Sequence, residues 1–214
     1  RHGIRRVVPV SFLQRKDFGF HDRILCRDME PTDEQLAKSV ASGDEQALAV
    51  LVRRWEQPLR RYVFRRCFSC RDEIDDLLQD VFLQVYRHIN AFDPSLKFSS
   101  WIWRIAHNAM VSRVRVHARR EPHVELDEAL MIPNGMRTDQ PCEAADLARE
   151  IREIMERMSP VLRDVFVLRF HEEKSYEEIG DILHLNANTV ATRVRRARDF
   201  FVEHAKARGI SLER

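Results

Sequence analysis

Ser175-Tyr-Glu-Glu-Ile-Gly-Asp-Ile-Leu-His-Leu-Asn-Ala-Asn-Thr-Val-Ala-Thr-Arg-Val-Arg-Arg-Ala-Arg-Asp-Phe-Phe201 reads as two helices with a tight turn between them. Ser175 with Glu178 three positions on is a capping box. The serine hydroxyl and the glutamate side chain each satisfy a backbone N–H that a first helical turn leaves open. Ile179, Ile182 and Leu183 form the inner face of the first helix. His184-Leu185 makes the turn, and Asn186 suits the cap of the second helix. There Val190, Val194, Ala197 and Phe201 are spaced for burial, while the opposite face collects Asn188, Thr192, Arg195, Arg196 and Asp199. This is a helix-turn-helix, a motif that lays its second helix in a DNA major groove. Arginine can bind guanine through two hydrogen bonds, asparagine can bind adenine, and threonine can touch a thymine methyl. Arg193 and Arg198 flank that face and suit phosphates.

Working outward, the chain stays helical. Ser159-Pro160 opens a helix with Val161, Leu162, Val165, Phe166 and Leu168 apolar, and the stretch from Ala144 to Met158 is also periodic. Upstream, Glu121 to about Pro141 holds Pro122, Pro133, Asn134-Gly135 and Pro141 and has no amphipathic period, the composition of a linker. Before it, Thr32 caps a helix with Leu36, Ala37 and Val40 on one side. A second helix from about Asp44 carries Ala47, Leu48, Leu51, Val52 and Trp55. It is expected to stop at Pro58 and resume at Leu59. A third runs from about Asp72 to Ile89, with Ile74, Leu77, Leu78, Val81, Phe82, Val85 and Ile89 toward the core and Asp76, Gln79, Asp80 and Gln84 elsewhere. A fourth follows Ser99-Ser100 through Trp101, Ile102, Ile105, Ala109 and Val116. Residues 1–30 show no sustained period and hold seven Lys or Arg against four acids, so they read as a basic, disordered tail.

Net charge is only +2, but its distribution is uneven. Lys97 to Arg120 has six Lys or Arg, Arg104 and Arg113 among them, and no carboxylate. Asn186 to Arg208 has six basic residues against two acidic ones, whereas Asp72 to Asp80 has five carboxylates. Two separate basic segments suggest two contacts with a polyanion, with solvated helix faces as the competing reading. In the first segment the cations are mixed with Phe98, Trp101, Trp103 and His107, a combination suited to unstacked single-stranded bases, although tryptophans at helical spacing are also ordinary core residues. No apolar run is long enough for a membrane span, and no signal peptide is evident, so a cytoplasmic location without membrane insertion is expected. Cys67-Phe-Ser-Cys70 lacks a second ligand pair for zinc, and Cys26, Cys67, Cys70 and Cys142 are expected to be reduced, incidental thiols. No cofactor or metal is implied.

These pieces together resemble the sigma-70 superfamily in its minimal group IV, or extracytoplasmic-function (ECF), form. Asp44-Glu-Gln-Ala-Leu with Leu51-Val-Arg-Arg-Trp55 is similar to the family's region 2.1, and Asp75-Asp-Leu-Leu-Gln-Asp-Val-Phe-Leu83 to region 2.2. Phe92-Asp-Pro with Phe98-Ser-Ser-Trp-Ile-Trp-Arg-Ile-Ala-His-Asn108 resembles regions 2.3 and 2.4. Leu162 to Phe170, Ser175 to Gly180 and Asn188 to Arg193 resemble region 4. The order and spacing of the set are more specific than any one motif.

The resemblance implies an all-α protein of two small helical domains, a sigma-2-like bundle and a sigma-4-like helix-turn-helix, joined by a flexible linker. Its domains would be the tail at 1–30, region 2 at 31–118, the linker at 119–143 and region 4 at 144–208. It implies a subunit with no catalytic residues of its own, which recognises −10 and −35 elements, melts DNA and directs RNA polymerase to promoters. Asp76, Gln79 and Asp80 match the part that docks on the clamp helices of the polymerase's largest subunit. Asn108 matches a position lining the pocket for a flipped −10 base. Trp101 and Trp103 beside it are expected to build the wall of that −10 pocket rather than stack on DNA, with at least one of them facing the core, and Arg104 and Arg113 are further −10 candidates. Asn188, Thr192, Arg193, Arg195 and Arg196 fall on the −35 reading helix. Asn188 stands where the family usually has glycine and Ala191 where a basic residue is common, so the resemblance carries no particular −35 sequence. It also implies an anti-sigma partner and a linker that threads the RNA-exit path. A ligand-regulated helix-turn-helix regulator is the alternative, but it does not explain an acidic helix followed by a basic, aromatic one. An enzyme using Cys67 and Cys70 finds no supporting triad or Gly-rich loop.

Overall fold

The computed structural model describes residues 6–9, 31–67, 71–120 and 141–213. They fall into two compact units, one drawn from 21–122 and 174–190, the other from 1–20, 123–173 and 191–214. Among the described residues the architecture is helical, apart from two four-residue strands.

In the first unit α1 (Asp33–Ala41) opens on a full capping box. The Thr32 hydroxyl accepts from the Gln35 N–H at 3.2 Å, and the Gln35 side chain accepts from the Thr32 N–H at 2.9 Å. The Asp44 carboxylate starts α2 (Glu45–Arg66) by accepting from the N–H groups of Gln46 and Ala47 at 2.9 and 3.1 Å. Against expectation, α2 runs unbroken through Pro58. Proline removes one ladder bond and crowds the preceding turn. Here Leu51 lies before it and Leu59, Tyr62 and Val63 after it, all buried. A continuous axis keeps them on a single apolar stripe, and that burial offsets the missing bond. Cys67, buried at the end of α2, is disulfide-bonded rather than the reduced thiol expected, and its partner lies outside the described side chains.

A short 3-10 turn (Arg71–Glu73) leads into α3 (Ile74–His88), which buries Ile74, Leu77, Leu78, Val81 and Val85. Phe82, placed on the core face by its spacing, is only half-buried. After Phe92 the chain forms α4 (Phe98–Arg120), whose core side is Phe98, Ile102, Trp103, Ala106 and Met110. Aromatic edges meet faces throughout this core. Trp103 stands edge-on to Tyr62 at 4.8 Å and to Trp55 at 6.4 Å, and Phe98 edge-on to Phe92 at 5.4 Å. Glu34 of α1 accepts from the Phe98 N–H at 3.0 Å and so caps α4 from a distance. Burial works against the Glu34 charge, but the bonds from the N–H groups of Phe98 and Glu34 itself and from Thr32 outweigh it and hold its pKa below the usual glutamate range.

In the second unit α5 (Pro141–Arg157) ends where Arg163 donates to the carbonyls of Met155, Glu156 and Met158 at 2.8, 2.6 and 3.0 Å. One guanidinium thus satisfies three backbone acceptors at a helix end. Pro160 starts α6 (Pro160–Phe166), which widens into a π-turn over Val167–His171. Two further helices follow along the chain: α7 (Tyr176–Leu183) belongs to the first unit, and α8 (Ala187–Ala207) begins there and passes into the second after Val190. Phe201 of α8 stacks on Phe166 at 5.0 Å. Strands β1 (Arg6–Pro9) and β2 (Ile210–Glu213) pair in parallel, Arg6 opposite Ile210. The segment read as a basic tail therefore contains a strand, and residues 1–5 and 10–30 lie outside the described residues. So does 121–140, the body of the expected linker; α4 and α5 enter its two ends. Among the described residues no helix is long and apolar enough to cross a membrane.

Candidate nucleic-acid interface

The helix-turn-helix begins as its local chemistry dictates. The Ser175 hydroxyl accepts from the Glu178 N–H at 3.1 Å, and the Glu178 carboxylate accepts from the Ser175 N–H at 2.8 Å. α7 ends at His184, which adopts the left-handed conformation with φ 54°, and the Leu185 N–H then returns to the Gly180 carbonyl at 2.9 Å. Gly180 is required by this close approach, because a Cβ there would sit 2.6 Å from the Leu185 carbonyl oxygen. The Asn186 side chain accepts from the Thr189 N–H at 2.8 Å and caps α8. Val190, Val194, Ala197, Phe201 and Ala205 are buried. That leaves Asn188, Thr192, Arg195 and Arg196 exposed, while Arg193 is half-buried at the margin. Arg198 pairs with Asp199 at 2.9 Å, which partly neutralises one candidate phosphate contact.

On α3 the side chains of Asp76, Gln79 and Asp80 point outward, as their spacing requires. Leu83 and Tyr86 continue the same stripe and are 45% and 53% exposed. Neither was singled out in the sequence, although their helical spacing from Gln79 and Asp80 was a usable signal. Two large apolar side chains beside carboxylates make a surface with both an apolar and an acidic component. The neighbouring Asp75 is engaged within the fold, accepting from Arg60 at 2.6 Å.

On α4 Asn108 and Ser112 are exposed one turn apart, and Arg104, one turn before Asn108, is half-buried. Asn108 lines a cleft of about 340 Å³ together with Ser112, Arg113, Gln84, Asp80 and Glu73. Here two sets of residues expected to serve different partners converge. Arg113 donates to Glu73 at 2.8 Å and to Asp80 at 2.6 Å. Partial burial disfavours the arginine charge, but Glu73, and then Asp80, more than compensate and raise its pKa above the ordinary value.

The two tryptophans separate. Trp101 is half-buried beside Phe92 and Phe98, at 5.3 and 5.5 Å. Trp103 is 2% exposed, so its assignment as a −10 DNA residue is corrected. No ring face remains for a base to stack on. It supports the helix from within, while Tyr62, which it packs against, lies 2.9 Å from His107 Nδ1 through its hydroxyl.

The family model for Sigma-70 region 2 matches residues 51–120, and that for Sigma-70, region 4 matches residues 148–200. The ECF RNA polymerase sigma-E factor of Escherichia coli (strain K12) is 31% identical over 176 residues, which cover 78% of this chain and 91% of the relative. The chain belongs to the ECF sigma factors of the sigma-70 family. This ECF sigma factor is also 28% identical to the ECF RNA polymerase sigma factor SigW of Bacillus subtilis (strain 168) over 182 residues, covering 80% of the chain and 95% of the relative. Its fold is similar to that of CnrH, solved in complex with the cytosolic domain of CnrY. The TM-score is 0.62 at 26% identity, covering 82% of this chain and 97% of that one. It is accordingly a non-enzymatic initiation factor that directs transcription by RNA polymerase, and the reading as a ligand-regulated repressor or activator is set aside.

Proposed function

We propose that this sigma factor works in the cytoplasm and divides its contacts among three helices. α3 docks on the clamp helices of the polymerase's largest subunit through Asp76, Gln79 and Asp80, with Leu83 and Tyr86 adding apolar area. α4 serves the −10 element, where Asn108 accepts a flipped base and Arg104 lies one turn away. The asparagine amide both donates and accepts, which matches the edge of a base. α8 reads the −35 element through Asn188, Thr192, Arg195 and Arg196, and Arg193 holds phosphate. In domain terms, 31–118 is region 2, 144–208 is region 4, 119–143 is the linker and 1–30 precedes them. The observation that carries this reading is the exposure of Asn188, Thr192, Arg195 and Arg196 together on a helix that buries its opposite side. An anti-sigma partner is part of the proposal, in keeping with the complex of CnrH with the cytosolic domain of CnrY.

The −35 assignment is tested by promoter-variant binding with the polymerase holoenzyme. Arg195→Ala or Arg196→Ala should relax preference at particular bases by about 1–3 kcal/mol, the worth of a bidentate base contact. Arg193→Ala should weaken all sequences alike and flatten the salt dependence. Should the three variants act identically on every promoter, α8 grips phosphate and does not read sequence.

A further inference from the structure

Arg113 has an unusual position for a DNA-binding arginine. One guanidinium is shared by two carboxylates, Glu73 at 2.8 Å and Asp80 at 2.6 Å, so the local charge of the trio is negative. The same cleft holds Asn108 and Ser112. A nucleic-acid strand entering it meets two carboxylates around a cation that is already occupied. Asp80 also belongs to the acidic stripe of α3, and with 54% of its side chain exposed it is the most accessible of the three. Glu73 and Arg113 are less so, at 32% and 26%.

We propose that Glu73 and Asp80 form a latch on Arg113, opened when polymerase takes Asp80. The inference rests on the docking role of Asp80 given above and adds to it a coupling between the polymerase-binding and DNA-binding faces. While Asp80 is paired with Arg113, the arginine is withheld from phosphate and the cleft repels a strand. When a cationic group on the polymerase engages Asp80, Arg113 keeps only Glu73, and the net charge around it rises from negative to neutral. A partly exposed ion pair is weak enough to be exchanged in this way, whereas a deeply buried one would be a structural element. The coupling is reciprocal: a strand held by Arg113 leaves Asp80 free for polymerase. Glu73 is thus a positioning residue that acts on DNA through Arg113.

The test uses the full chain and a fluorescently labelled single-stranded oligodeoxynucleotide of randomised sequence, read by anisotropy, with affinity for core polymerase measured in parallel. In the absence of polymerase, Glu73→Gln and Asp80→Asn should each raise affinity for the oligonucleotide by roughly two- to fivefold, the scale of one partly exposed charge pair. Arg113→Ala should lower it, and adding Arg113→Ala to Glu73→Gln should abolish the gain. Asp80→Asn should in addition weaken core binding. If both carboxylate variants bind the oligonucleotide like the wild type while Asp80→Asn still loses core affinity, the latch is wrong and the docking reading stands. A gain that survives in the Arg113→Ala background reflects general charge and also overturns the latch. If Asp80→Asn binds core like the wild type, the docking role of Asp80 is wrong and the latch falls with it.

Discussion

Trp103→Ala should cost the region 2 bundle about 3–5 kcal/mol, the usual penalty for emptying a buried aromatic site. The side chain is 2% exposed and contacts Tyr62 and Trp55 edge to face, so its removal leaves a cavity among rings that cannot close over it without leaving their rotamers. Chemical denaturation followed by circular dichroism measures the loss. Trp103→Phe should recover much of it by restoring most of the volume. A surface tryptophan reserved for stacking on DNA would behave in the opposite way, with stability unchanged and only DNA affinity reduced. Equal stability of Trp103→Ala and wild type would therefore return this residue to the DNA interface.

A second large effect is expected on α3. Replacing Asp76 and Gln79 together by Ala leaves Asp80 and its bridge to Arg113 in place, so it tests docking without opening the latch. Loss of two adjoining contacts at a protein interface should reduce affinity for core polymerase by about 2 kcal/mol, roughly thirtyfold. Both side chains are exposed and stand clear of the buried stripe of α3, so thermal stability should move by no more than about 0.5 kcal/mol. Surface plasmon resonance on immobilised core polymerase gives the affinity. Wild-type affinity with an unaltered melting temperature would move the docking surface away from these residues. Leu83→Ser and Tyr86→Ser, measured the same way, show whether the apolar end of the stripe contributes.

What could be read from residues alone follows from how local each signal is. The helix-turn-helix is legible because Ser175 with Glu178, and Asn186 with the Thr189 N–H, complete their hydrogen bonds within three residues. The outward set on α3 is legible because one helix's period determines it once Leu77, Leu78, Val81 and Val85 are inside. Pro58 misled for the converse reason. Its local penalty argues for a break, and only the burial of Leu51, Leu59, Tyr62 and Val63 along one axis overrides it. Trp101 and Trp103 lie on nearly opposite sides of α4, so composition alone cannot assign their roles. Trp103 shares its side with Ile102, Ala106 and Met110, and that pattern was the available clue. The bridge from Arg113 to Asp80 and Glu73 spans 33 and 40 positions, and no periodicity within one helix reveals a pairing between two helices.

Run-off transcription reconstituted with core polymerase and this chain tests the assignment of separate docking, melting and reading surfaces most directly. The template carries a promoter selected by sequencing the chain's own initiation sites, offered both as intact duplex and with the −10 region already unpaired. The assignment predicts a discrete transcript that requires the chain. Asn108→Ala should be strongly impaired on duplex and largely restored on the pre-opened template, whereas the Asp76→Ala, Gln79→Ala pair should be impaired on both. Full activity of Asn108→Ala on duplex, or no chain-dependent transcript from any template, would contradict it.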